Sequence, residues 1–489
     1  MTAKPEESAP RVSLTGETRA AFAIPAEAVA VYARVARAFV YERPSSDARH
    51  IGYLRAGARV AASRAVEGNA GCPGGWHALL TRGYVCAGSS TTLDASDPVV
   101  RALGPYPPDE ARKLPYIYGT VRKPGPIYAR LPTSAELAKT EPDLEERMNA
   151  WLDADGEIGA SYAQNVWLGG DGVAPDPAAV WRERRSEGIP EFIASGAPLP
   201  NLHQKPRDEG QLVIGWPRPR VGYSFVTTFL SQGRRYGLTP ELEIVPTDRL
   251  RPIQGSDFHG VTLGGEVTLP LALVREPGAH YMMYQRSGDR LVEGDAAPYR
   301  EAVLLTGRQR FFHDVLHYET KDGRWLSDRD ASRLDPAKKM PGWGVKGERW
   351  IDVNITKQTL VLYEGTKPVY ATLISSGEAG LEDPKSTTAT KRGIFRIHAK
   401  HVATTMESDE VGEEFELRDV PYVQYFDDDG HAIHGAYWHD KFGIPKSHGC
   451  INLAPEDARR VFYFTEPSVP DGWHGAFDSL RGTVVFIHP

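Results

Sequence analysis

The sequence predicts a mostly β, multidomain protein, and three observations carry that expectation. At 489 residues the chain is longer than one hydrophobic core organises, so three or four domains are expected. Its 48 glycines and 38 prolines interrupt the chain too often for long helices and favour short strands joined by turns. Between those interruptions, runs rich in Val, Thr and Tyr recur in strand-length pieces. Charge narrows the function classes. The net charge of -7 comes with no basic stripe, which argues against nucleic acid as a partner. No run approaches the ~20 apolar residues of a membrane-spanning helix.

Residues 1–27 read as a flexible leader. The opening Met1-Thr-Ala-Lys-Pro-Glu-Glu-Ser lacks the apolar core of a signal peptide. Either the chain is cytoplasmic, or a signal or lipid-anchor segment preceded this numbering. The polar, Pro- and Glu-containing start fits a tether that follows such a segment, so a membrane tether outside this sequence and a place in the cell envelope or periplasm are expected. Cysteine usage agrees. Cys72 and Cys86 flank a Gly- and Trp-containing stretch that reads as two short strands. A disulfide between them would close a loop of about fifteen residues, worth roughly 3 kcal/mol, and would imply an oxidising compartment. The alternative is two buried free thiols. Either way Cys450 is left over, as a working nucleophile should be.

Residues 28–90 place I-G-Y-L-R-A-G-A-R-V, a Gly-Trp pair and a closing Gly-Tyr-Val between turns. This pattern resembles bacterial SH3-like domains, small β-barrels that often bind wall peptides; simple packing against the rest of the chain is the competing role. Residues 91–260 read as a mixed, strand-rich region. A helical stretch is expected near Ser134 to Leu152, its acidic Glu141, Asp143, Glu145 and Glu146 forming a solvated face. A Gly/Asp/Pro loop follows at Gly169 to Asp176, and strands begin at Val221, Gly233 and Ile244. Residues 261–345 look like another SH3-like β module. There Phe312 to Glu319 reads as one strand, so His313 and His317, four apart, take structural rather than metal-binding roles. Pro341-Gly-Trp-Gly-Val reads as a hinge into a final domain, 346–489.

That domain holds the chemistry. Gly430 to Leu453 contains two His-Gly pairs, His434-Gly435 and His448-Gly449, the second running into Cys450. A thiol beside histidines supplies a Cys–His nucleophilic pair, since the thiolate is the attacking species. Gly449 gives a carbonyl close access to the backbone, and the N–H groups of Gly449 and Cys450 are candidates for an oxyanion hole. Asn452 adds a side-chain donor.

His434 followed by S-H-G-C-I-N at Ser447 to Asn452 resembles the L,D-transpeptidase catalytic domain, the YkuD family. The stretch opening Trp350-Ile-Asp-Val-Asn resembles that family's first hairpin. Lys391-Arg-Gly-Ile-Phe sits where the family has Pro-Thr-Gly-x-Phe, with Arg392 in place of the small residue and the proline missing. The resemblance covers roughly Trp350 to the end. It implies a β-sandwich with one short helix, expected from Ala454 onward because Pro and acids fill its first turn. It also implies that Cys450 attacks a peptidoglycan stem peptide to give a thioester. His434 would serve as base and acid, oriented by the Gly435 carbonyl, and His448 would tune the site. A second stem's amine would then form a 3→3 crosslink.

Met406, Tyr425, Tyr437, Trp438 and His439 are candidates to line the cleft, and Glu407 to Asp419 to form an acidic lid. No cofactor is expected, and carbapenem-type β-lactams should acylate Cys450. Three alternatives stand beside this reading. His434, His439, His448 and Cys450 could ligate a metal. The domain could be an inactive wall-binding protein. Or the same nucleophile could serve carboxypeptidase, amidase or protein-to-wall attachment chemistry.

Overall fold

The computed structural model describes residues 25–146, 185–186, 188–203, 208, 210–408 and 415–489. It is mostly β, with 42% strand and 9% helix. In the C-terminal region, one sheet runs Val261–Thr262, Lys367–Leu373, Thr359–Glu364, Arg349–Asn354, Val484–His488, Gly393–Arg396. It is antiparallel except where Arg349–Asn354 lies parallel to Val484–His488. The facing layer is built on the hairpin Ala399–Ser408 and Phe415–Tyr425, which pairs on one side with Gly475–Phe477 and on the other with Ala432–Gly435. Ile351, Val353, Leu360 and Leu362 from the first sheet share one buried core with Val402, Ile433 and Ile451 from the second. The resulting β-sandwich carries one helix, Pro455–Phe464. Proline occupies its first turn with Glu456 and Asp457, where acids favour the positive end of the helix dipole. Its buried Ala458, Val461 and Phe462 seal the core.

The preceding regions are not beads on a string. Strands between Ala28 and Thr92 form the N-terminal module, in which Cys72 and Cys86 are joined by a disulfide packed on the buried Trp76. Its strand His50–Arg55 pairs directly with Gly475–Phe477, placing Gly52 opposite Ala476 and Tyr53 opposite Gly475. Gly52 has no room for a side chain, since an added Cβ would lie 2.4 Å from the Gly475 carbonyl oxygen. The middle region adds a second seam, Gly222 opposite Leu417 in parallel register. One continuous sheet therefore runs through three segments that the sequence reads as separate.

Several expectations are corrected by the structure. The helix at 134 ends at Thr140, with residues 147–152 outside the described residues. Thr133 and Glu136 close a capping box at its start. Glu141 is not on a solvated face. It is buried and accepts hydrogen bonds from Arg234, Arg249 and Tyr128, so it is a paired core carboxylate; the neighbouring Asp143, Glu145 and Glu146 are exposed. Phe312 to Glu319 is not one strand: His313 and Asp314 take φ of 48° and 63° and turn the chain between Ala302–Phe312 and Val315–Thr320, the backbone a tight hairpin needs. Val261–Thr262 pairs with the C-terminal sheet rather than with the 261–345 module. The expected hinge is a short helix, Gly342–Val345, whose Trp343 packs on Trp350. The loop at 169–176 lies outside the described residues.

Candidate active site

The site is created by two short parallel strands. Ala432–Gly435 lies beside Ile451–Leu453 with Ile433 opposite Ile451 and His434 opposite Asn452. Because side chains alternate along a strand, Ile433, Ile451 and Leu453 face the sandwich core. His434 and Asn452 face the other way, and Cys450 sits at the mouth of its strand, partly buried beside Ala432. Thiol and imidazole thus emerge on one face of neighbouring strands.

The turn that carries the thiol is pinned on both sides. Ser447 N–H and Lys446 N–H donate to the Ser376 carbonyl, and Glu378 N–H donates to the Ser447 carbonyl. Ser375 and Asn452 exchange both backbone hydrogen bonds at 2.9 Å. Within the turn, Ser447 Oγ donates to the Cys450 carbonyl at 2.5 Å and accepts from Gly449 N–H at 3.2 Å. The Gly449 N–H is therefore directed into the turn rather than out towards an incoming carbonyl. Gly449 itself has φ +116°, and a Cβ there would lie 2.7 Å from the His431 ring; conformation and space both demand glycine.

His431 is a residue that sequence reasoning missed. Its Nδ1 is 2.7 Å from Asp427 Oδ2, its backbone N–H donates to Asp427 Oδ1, and Lys391 pairs with the same carboxylate at 2.9 Å. The sequence signal was present as Asp427 and His431, four apart and three residues before His434, but nothing in the spacing says that the ring backs the nucleophile's turn.

Burial sets the resting charge state. It pushes the Cys450 thiol up to about 11, opposed in part by a hydrogen bond from the Ala432 backbone, while the Asp427 charge adds to the rise. It pushes the His434 imidazole down to about 4, against the contribution of the Gly435 carbonyl, which lies 3.4 Å from Nδ1. At neutral pH the unliganded pair is a thiol and a neutral imidazole, not an ion pair. Burial likewise pushes His439 down to about 3. Its Nδ1 accepts from Lys441 N–H at 3.1 Å, and the Asn452 side-chain nitrogen Nδ2 lies 2.9 Å from its Nε2. Asn452 is thus committed to His439 rather than aimed at the thiol.

Among the expected cleft residues, Met406, Tyr425, Trp438 and Cys450 are partly buried against one common cluster. The Tyr425 hydroxyl is raised by burial and then by the Cys450 charge, which puts it within electrostatic reach of the thiol. The Trp438 ring lies 5.6 Å from that of His434. Tyr437 is a correction: it is fully buried, and its hydroxyl donates to the Arg418 carbonyl at 3.2 Å, so it packs rather than lines. His439 is a second, buried against Phe442. His448 is exposed, its ring 5.8 Å from Phe415. The lid is a third correction. Residues 409–414 lie outside the described residues, but Phe415 to Asp419 are strand, and Asp419 is buried in ion pairing. Among the described residues, no group of three or more His, Cys, Asp or Glu side chains is arranged to hold a metal ion.

The loop between His434 and Cys450 is clamped by the 261–345 module and by the end of the region before it. Arg300 donates to the carbonyls of Asp440 and Phe442 at 2.8 and 3.1 Å and stacks over Phe258. Ser256 Oγ donates to the Asp440 carboxylate.

The sandwich presents a thiol and an imidazole on one face, with a pinned turn behind the thiol, the side chains that nucleophilic acyl transfer requires. Residues 348–487 match the family model for the L,D-transpeptidase catalytic domain, YkuD, and this segment belongs to that family. Solved structures similar to part of the chain include an L,D-transpeptidase from Stackebrandtia nassauensis, 25% identical over 32% of this chain and 58% of that one, TM-score 0.20. Another is the catalytic domain of the Enterococcus faecium L,D-transpeptidase, 26% identical over 29% of this chain and 98% of that one, TM-score 0.23. The same domain has been solved acylated by ertapenem, 26% identical over 29% of this chain and 97% of that one, TM-score 0.22. The matched part spans 58% of the Stackebrandtia nassauensis chain and 50% of another solved Enterococcus faecium L,D-transpeptidase chain. No curated protein matches the chain.

Proposed function

We propose that the chain is a cysteine L,D-transpeptidase that acts on peptidoglycan stem peptides and forms 3→3 crosslinks. The observation that carries this is the shared face of His434 and Cys450 on registered parallel strands. His434 takes the thiol proton as Cys450 Sγ attacks the carbonyl of the diamino acid's L-centre. The C–N bond to D-Ala breaks, and His434 returns the proton to the departing amine, leaving a thioester. The side-chain amine of a second stem attacks that thioester, loses its proton to His434 and releases the thiol. The Cys450 N–H supports the oxyanion in both halves. Because the resting pair is neutral, proton transfer accompanies attack rather than preceding it. The reaction as written needs no cofactor.

Water in place of the second amine would give carboxypeptidase activity, and a protein amine would give attachment to the wall; the acceptor decides among them. Carbapenem-type β-lactams offer the same thiol a strained carbonyl and are proposed as covalent inhibitors. An oxidising, envelope location is proposed on the strength of the Cys72–Cys86 disulfide.

The test is intact-protein mass after incubation with a carbapenem, with Cys450→Ala beside the wild type and EDTA present. An adduct on the wild type alone supports the thiol nucleophile. An adduct carried equally by the alanine variant, or none, favours the binding-protein or metal readings. Product analysis with stem peptides then separates crosslinking from hydrolysis.

A further inference from the structure

We infer that Arg37, contributed by the N-terminal module, is a substrate-positioning residue that receives a carboxylate of the acyl-donor peptide. This rests on the transpeptidase reading and deepens it by assigning part of the donor site to a different domain.

The strand Arg37–Tyr41 pairs with His50–Arg55, the strand that joins the catalytic sheet. The same seam brings Tyr53 against His401, with the Tyr53 hydroxyl 3.1 Å from His401 Nδ1. The His401 ring in turn lies 5.6 Å from that of Tyr425. Arg37 sits over this row, its guanidinium 5.5 Å from the Tyr53 ring centre. Its Nη2 donates to Thr404 Oγ1 at 3.4 Å, two residues from Met406 on the same strand. The residue is exposed and, among the described residues, has no carboxylate within ion-pairing distance.

Other arginines on this seam are used structurally. Arg55 and Arg418 are each paired with buried carboxylates. Arg37 is instead held by one long bond to a neutral hydroxyl, at the rim where the module meets the cleft. Its charge reaches into the site, since it acts on the Tyr425 hydroxyl, which also feels Cys450. An oriented, unneutralised guanidinium within electrostatic reach of Tyr425 fits an anionic group on the incoming chain, and a planar carboxylate matches its donor fork.

The experiment compares a tetrapeptide donor bearing free carboxylates with the same peptide whose carboxylates are carboxamides. It reads kcat/KM for release of the terminal residue by the full chain. The wild type is expected to prefer the acid by about tenfold or more. Arg37→Ala is expected to bring that preference close to parity, with Arg37→Lys in between. A wild type that does not distinguish the two donors, or an Arg37→Ala variant that keeps the wild-type ratio, overturns the inference and leaves the transpeptidase reading standing. No release from either donor, with no thioester on Cys450, overturns that reading and this inference with it.

Discussion

Arg55 of the N-terminal module and Asp419 of the strand Phe415–Tyr425 form a buried ion pair, with 14% and 2% of their side chains exposed. Arg55 also pairs with Glu241 at 2.6 Å, and Ser224 donates to the same Asp419 carboxylate. Burial works against the Asp419 charge, yet Arg55 and Ser224 hold its carboxyl below the usual range. One guanidinium thus ties three regions together beside the catalytic hairpin.

Removing Arg55 should leave the buried Asp419 and the partly buried Glu241 without their shared cation. Arg55→Ala is expected to cost about 3–5 kcal/mol in urea denaturation. The triple replacement Arg55→Met, Asp419→Asn, Glu241→Gln should recover more than half of that. A loss below about 1 kcal/mol for Arg55→Ala would mean that the pair behaves like a surface one.

Stability should fall on acidification. His434, His401 and His439 are pushed by burial to about 4, 3 and 3, below their unfolded value near 6.5. Between pH 6.5 and those values the unfolded chain binds protons that the folded chain does not. Stability is therefore full above about pH 6.5 and drops as pH falls, by roughly 2–3 kcal/mol per imidazole at pH 4. Urea midpoints from pH 4 to 8 check this; a flat profile contradicts it.

Thiol reactivity should rise with pH as well. With Cys450 raised to about 11, alkylation by iodoacetamide should rise about tenfold per pH unit from pH 6 to 9. A plateau reached by pH 8 would show a thiolate–imidazolium pair in the free protein.

Gly449→Ala meets both a left-handed φ and the His431 ring. Acylation of Cys450 by a carbapenem is expected to slow by about a hundredfold or more. Gly449→Ala with His431→Ala should restore little of it, because the φ demand persists. His431→Ala alone, which empties the space behind the turn, should slow acylation less, by about tenfold. Full recovery in the double variant would assign the whole effect to crowding.

Asn452→Ala removes the side-chain amide that lies 2.9 Å from Nε2 of the buried His439. A loss of about 1–3 kcal/mol in thermal or urea unfolding is expected. Tyr437→Phe removes only the bond to the Arg418 carbonyl and should cost about 1 kcal/mol with little change in donor KM. A large KM effect would return Tyr437 to the cleft wall.

The sequence by itself determined the strand-rich character and which side chains the proposed chemistry would use. Ser447 to Asn452 and His434 supply the proposed nucleophile and base because such reactivity needs those side chains in those slots, and alternating apolar residues mark the strands whatever they pack against. Tertiary structure decided everything that depends on contacts distant along the chain. It set the register that puts His434 beside Asn452 and buried Tyr437 and Glu141, which look exposed in isolation. It also brought His431 behind Gly449 and Arg37 to Thr404. Sequence patterns report local periodicity and local charge. Burial and long-range pairing arise only when segments distant along the chain come together, as Arg37 and Thr404, 367 residues apart, do here.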